Sequence, residues 1–71
     1  MTNTERLKGA IVSAGLKQAS VAEKMGISAT ALNNKITNKS PFTADEIKSL
    51  QVILNLSRNE VDIIFFADKV D

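Results

Sequence analysis

Apolar side chains recur at three- and four-residue intervals along most of the chain, the spacing of a helix face rather than of a strand. Leu7, Ile11 and Ala14, with Ala10 beside them, make the first such face. Ahead of it stand Thr2 and Glu5 at the S/T-x-x-E spacing of a capping box, in which hydroxyl and carboxylate satisfy backbone N–H groups at a helix start. Gly15 is the expected stop, because glycine enters left-handed geometry without a Cβ clash. A second helix is predicted from about Lys17 to Met25, with Val21, Ala22 and Met25 inward and Gly26 ending it. Ser28 is placed to cap a third, from Ala29 to about Thr37, with Leu32 and Ile36 inward.

The polar run from Asn38 to Ser40, followed by the chain's one proline, Pro41, reads as a loop. Thr43 and Glu46 repeat the capping-box spacing and open a helix whose apolar positions are Ile47, Leu50, Val52, Ile53 and Leu54. Ser57 and Glu60 repeat it again before a short helix through Val61 and Ile64. The tail over residues 63–71 is apolar first and charged last. No stretch alternates with period two, and there is no internal repeat or low-complexity tract. The pattern therefore predicts a single all-α domain over residues 1–71, five short helices and no sheet. Helices averaging about nine residues are not stable alone in water, so they must pack on one another. Leu7, Ile11, Val21, Ala22, Ile27, Leu32, Ile36, Ile47, Leu50 and Leu54 are the expected core.

Composition narrows the function. With no cysteine and no histidine, disulfides, thiolate metal sites, the commonest general base and the commonest metal ligand are all missing. No carboxylate pair is spaced for acid–base work: Asp45, Glu46, Glu60 and Asp62 read as charges that complement helix N-termini. No glycine-rich phosphate loop is present. The chain is expected not to be an enzyme and to need no metal or cofactor. No apolar run approaches the roughly 18–20 residues of a membrane span. The opening Met1-Thr2-Asn3-Thr4-Glu5 has no basic region followed by an apolar stretch, so no signal peptide is expected. A cytoplasmic binding module is the class that remains.

Net charge is only +1, but it is polarised. Residues 1–39 carry six Lys or Arg against two Glu, whereas residues 40–71 carry three against six carboxylates. An anionic partner would meet the first half. Within that half, Gln18 to Leu32 holds the most specific signal. Two predicted helices are joined by three residues, with Ala22 small where they cross, Gly26 for the sharp turn, and Ile27 and Leu32 filling the angle. That is helix-turn-helix spacing, over about residues 17–37, in which the second helix can enter the DNA major groove.

From Leu7 to Leu56 the chain resembles the helix-turn-helix regulators of the lambda-repressor and Cro class, most specifically in the spacing of Gln18, Ala22, Gly26, Ile27, Ser28 and Leu32. The segment over residues 59–71 is similar, more loosely, to the tails of small lysogeny-switch proteins from temperate phages of Gram-positive bacteria. The resemblance implies a compact five-helix domain and a cytoplasmic regulator in a bacterial host. It also implies that Gln18 contacts a phosphate at the start of the second helix. One departure is Asn38, where the family usually has glycine after the recognition helix; asparagine tolerates the left-handed region better than most residues.

On a wheel of 100° per residue, Leu32 and Ile36 inward put Thr30, Ala31, Asn34 and Thr37 on the opposite side, with Asn33 on the flank. Ser28 and Ala29 lie at the helix start. Asparagine can pair with the N6/N7 edge of adenine, and the threonine methyl can meet that of thymine. Lys17, Lys35 and Lys39 are the phosphate-contact candidates. The plainer reading of the same side chains is a solvated helix face.

Two functions stay open on the sequence. One is a phage transcriptional regulator that binds operator DNA, normally as a homodimer on two half-sites. The other is an antirepressor or modulator that forms a complex with a phage repressor, its acidic half meeting the basic surface of its partner. Ile63, Phe65 and Phe66 are the candidate dimer or partner surface, unless they close the domain's own core. No membrane or small-molecule partner is expected.

Overall fold

Four of the five helix starts are closed by a side chain of the residue just ahead, as the chain's Ser, Thr and Asn placement dictates. In the computed structural model, which describes residues 1–67, these helices are α1 (Thr4–Ser13), α2 (Gln18–Met25), α3 (Ala29–Ile36), α4 (Ala44–Ile53) and α5 (Arg58–Val61), the last running into a π-helical turn over Asp62–Phe66. Ser28 accepts the N–H of Ala31 at 3.0 Å. Thr43 with Glu46 and Ser57 with Glu60 both form complete capping boxes. No strand occurs among the described residues. The charged end of the tail, Asp68 to Asp71, lies outside them.

The start of α1 departs from the expected capping box. Asn3, not Thr2, is the cap, its Oδ1 accepting the N–H of Arg6 at 3.1 Å. Residue 2 is held outside the helix by another element. Asn38 Oδ1 accepts Thr2 N–H at 2.9 Å, and Asn38 Nδ2 donates to Thr2 O at 3.0 Å. The Thr4 hydroxyl donates to Ile36 O at 2.6 Å, and Asn3 N–H donates to Ile64 O at 2.7 Å. The first four residues therefore tie the end of α3 to the π-helical turn.

The first four helices end alike. A residue in left-handed geometry follows each: Gly15 (φ 74°), Gly26 (φ 75°), Asn38 (φ 67°) and Asn55 (φ 53°). The residue after it donates six positions back, as Leu16 N–H does to Ile11 O (3.2 Å), Ile27 to Ala22 (3.0 Å), Lys39 to Asn34 (2.8 Å) and Leu56 to Gln51 (2.9 Å). This Schellman closure satisfies carbonyls that a helix end would leave unpaired.

Between these stops, α2 packs on both α3 and α4, and α1 on α3 and the π-helical turn. The radius of gyration, 11.0 Å, matches the value of about 11 Å for a compact chain of this length. Leu7, Val21, Leu32, Ile36 and Leu50 are fully enclosed, with Ile11, Ala22 and Leu54 beside them. Ile27 and Ile47, expected inside, are half-buried and pack against that core. Val52 is 81% exposed, because 200° of helix rotation separates it from Leu50. From the C-terminal third, Leu56, Val61, Ile64 and Phe65 complete the interior.

Candidate nucleic-acid interface

The link between α2 and α3 is three residues, Gly26-Ile27-Ser28, and each has a mechanical role. Gly26 reverses the chain in left-handed geometry, Ile27 half-buries its side chain against the core, and Ser28 caps α3. Ala22, on α2, is 1% exposed. A larger side chain there would force apart helices that are already in contact.

With Leu32 and Ile36 buried, α3 turns Ala29, Thr30, Asn33 and Thr37 outward, and leaves Ala31 and Asn34 half-buried. This face carries hydroxyl, amide and methyl groups and no carboxylate. The Ser28 side-chain oxygen already accepts one bond, which leaves its hydroxyl hydrogen for a partner. The Thr37 hydroxyl is turned back on the helix, donating to Asn33 O at 2.8 Å. Asn33 does not stand alone: Gln18 Nε2 donates to its Oδ1 at 3.2 Å, a bond from the first residue of α2 to the middle of α3.

At the start of α2, Lys17 is the cap residue but makes no side-chain bond to the helix. Among the five α-helices this is the one start without such a bond. Its first N–H groups are the kind of donors that accept an anion's oxygen. Lys17 and Lys39 are exposed. Lys35 is not equivalent to them. Its Nζ lies 3.0 Å from Glu46 Oε1 and donates to Pro41 O at 3.1 Å, with the two paired side chains 17% and 21% exposed. Its charge is compensated within the fold, tying α3 to the start of α4. The Thr43 N–H and then Lys35 hold the Glu46 carboxyl below its ordinary value, against a smaller opposing effect of burial.

The candidate partner surface divides. Phe65 is 5% exposed and its ring meets that of Phe42 edge-on, centroids 5.4 Å apart. It closes the core and is withdrawn from the expected surface, because Val61, Ile64 and Phe65 share one side of the continued helix. Ile63 is half-buried and Phe66 is 37% exposed. Phe66 borders a groove of about 340 Å³ with Met1, Pro41, Phe42 and Ile47.

Three features had weaker signals in the sequence. The Lys35–Glu46 pair joins the last turn of one helix to the first turn of the next, a charge order each helix favours on its own. The Asn38 clamp and the Gln18–Asn33 bond depend on how the helices meet, which periodicity does not report. Among the described residues no three His, Cys, Asp or Glu side chains gather as metal ligands would, and no helix is long and apolar enough to cross a membrane. No protein-family model, curated protein or solved structure matches the chain.

Proposed function

We propose that this protein is a sequence-specific DNA-binding regulator of the helix-turn-helix type, with α2 and α3 as the motif and α3 as the reading helix. Its resemblance to small lysogeny-switch proteins of temperate phages makes control of such a switch the proposed role. The observation that carries the reading is the outward face of α3. Ala29, Thr30 and Asn33 expose small or hydrogen-bonding groups there, beside the α2 start whose N–H groups no side chain caps. Phosphates would be met by that start, by Gln18, and by the exposed Lys17 and Lys39. Base edges would be met by Ser28, Ala29, Thr30 and Asn34, with Thr37 at the far end. One such helix covers about half a site, so a homodimer on a two-fold-related operator is the expected binding form.

Selection from a random duplex library, at about 50 mM and again at about 200 mM salt, tests this. Enrichment of a two-fold-related motif, weakened at the higher salt, supports the reading. A folded protein that enriches nothing refutes it.

One observation favours the alternative, a modulator that binds a repressor protein. Phe66 is partly exposed on the π-helical turn, beside an apolar groove, where a DNA reader has no use for an aromatic ring. The Phe66→Ala variant then loses binding to the repressor's DNA-binding domain while its DNA affinity is unchanged. Retention of that protein contact would remove Phe66 from it.

A further inference from the structure

The hydrogen bond between Gln18 and Asn33 has no obvious use in folding. Asn33 is exposed, and the bond runs from Gln18 Nε2 to Asn33 Oδ1 at 3.2 Å. Water offers both amides equivalent partners, so the net gain to the folded state is small. What the bond does is restrict two side chains that would otherwise sample several rotamers. Long side chains lose that freedom when a ligand immobilises them, and a contact formed beforehand removes the cost from the binding step.

The chemistry of the two amides says which one is presented to a ligand. A bidentate pairing with adenine needs the asparagine oxygen and nitrogen both aimed at the base edge. The Asn33 oxygen is turned toward α2 and occupied by Gln18. Gln18 keeps its second Nε2 hydrogen and its own oxygen. It is the first residue of α2, so that remaining hydrogen lies beside the uncapped N–H groups of the same turn. Donors without a matched acceptor suit a phosphate oxygen and carry no base preference. The carbonyl of Asn33 also receives the Thr37 hydroxyl at 2.8 Å, which steadies the turn of α3 that bears it.

We infer that Asn33 is a positioning residue: it holds Gln18 in place for a DNA phosphate and does not itself read a base. The inference rests on the proposed DNA-binding function. It divides the outward face of α3 between two tasks. Thr30 and Asn34 discriminate among sequences, whereas Asn33 works through α2 and strengthens binding to all of them.

A double-mutant cycle on DNA affinity tests this, with Gln18→Ala, Asn33→Ala and the double variant titrated by fluorescence anisotropy. Each is measured against the selected duplex and a scrambled one at the same salt. Each single variant is expected to lose about five-fold on both duplexes, the order of one hydrogen bond. The double variant is expected to lose no more than the larger single loss, because both act through one contact. The thermal midpoint of Asn33→Ala is expected not to fall, which separates positioning from a structural role. Independent losses, multiplying to about twenty-five-fold, would overturn the inference and leave DNA binding intact. A loss by Asn33→Ala on the selected duplex alone would make Asn33 a base reader and overturn it too. If the unaltered protein binds neither duplex, the proposed function falls and this inference with it.

Discussion

Asn38 is the residue at which one substitution should disturb most of the fold's connections, and two variants separate its two roles. Its amide makes a pair of bonds to the backbone of Thr2, at 2.9 and 3.0 Å, across 36 positions of sequence. Its own backbone sits at φ 67°, where an ordinary side chain is disfavoured. Replacing it by glycine keeps the geometry and removes the clamp. At about 0.5–1.5 kcal/mol net per hydrogen bond, Asn38→Gly should lose about 1–3 kcal/mol. Asn38→Ala loses the clamp and also forces a Cβ into the left-handed region, for about 1 kcal/mol more after glycine's greater unfolded-state freedom is deducted. A domain of this size has total stability of only about 4–10 kcal/mol, so both losses are large fractions of it. Urea unfolding followed by far-UV circular dichroism measures them, with the slope against denaturant expected to stay constant. If Asn38→Gly is as stable as the parent, the clamp contributes nothing. If Asn38→Ala is as stable as Asn38→Gly, the argument from positive φ fails.

Other consequences are simpler to state. Leu50→Ala should cost about 2–5 kcal/mol because Leu50 is fully enclosed, whereas Val52→Thr on the same helix should stay within about 0.5 kcal/mol, both read from urea midpoints. The carboxyls of Glu46 and Glu60 are held below their ordinary value by the N–H groups of Thr43 and Ser57. A depressed carboxyl contributes stability that is present above its unfolded pKa and lost as pH falls through the folded one. The unfolding midpoint should therefore drop on the acid side of the carboxylate range, and Glu46→Gln with Glu60→Gln should flatten that drop. Lys17→Ala and Lys39→Ala should each reduce the salt slope of DNA binding by about one, whereas Lys35→Ala, whose charge Glu46 already compensates, should change it much less.

Helix placement was legible because it depends on neighbours in sequence. Ser28, Thr43 and Ser57 each close the helix that follows, and Gly15, Gly26 and Asn38 each take the left-handed turn expected of them. Asn55 does the same at the end of α4 and was not anticipated, since a lone asparagine between Leu54 and Leu56 is a weak stop signal. The errors fall where tertiary partners decide. Thr2 has the spacing of a cap but is captured by Asn38, and Val52 has the composition of the core but the wrong angle. Phe65 and Phe66 are indistinguishable as neighbouring letters, yet one packs on Phe42 and the other faces outward. On the candidate interface, the wheel correctly turned Thr30, Asn33 and Thr37 outward. It could not tell that Lys35 is paired with Glu46, or that Asn33 is bonded to Gln18. Those are meetings between helices, and periodicity within one helix is silent about them.

The central claim is that the α2–α3 face meets DNA, and a chemical-shift titration tests it residue by residue. Backbone and side-chain amide resonances are followed by NMR while a duplex is added at low salt. The account predicts that Gln18, Ala19, Ser20 and the residues from Ser28 to Asn34 shift first and most, with α5 and the π-helical turn nearly unmoved in the monomer at low occupancy. Shifts concentrated around Phe66, or no shifts at all from a folded protein, would contradict it.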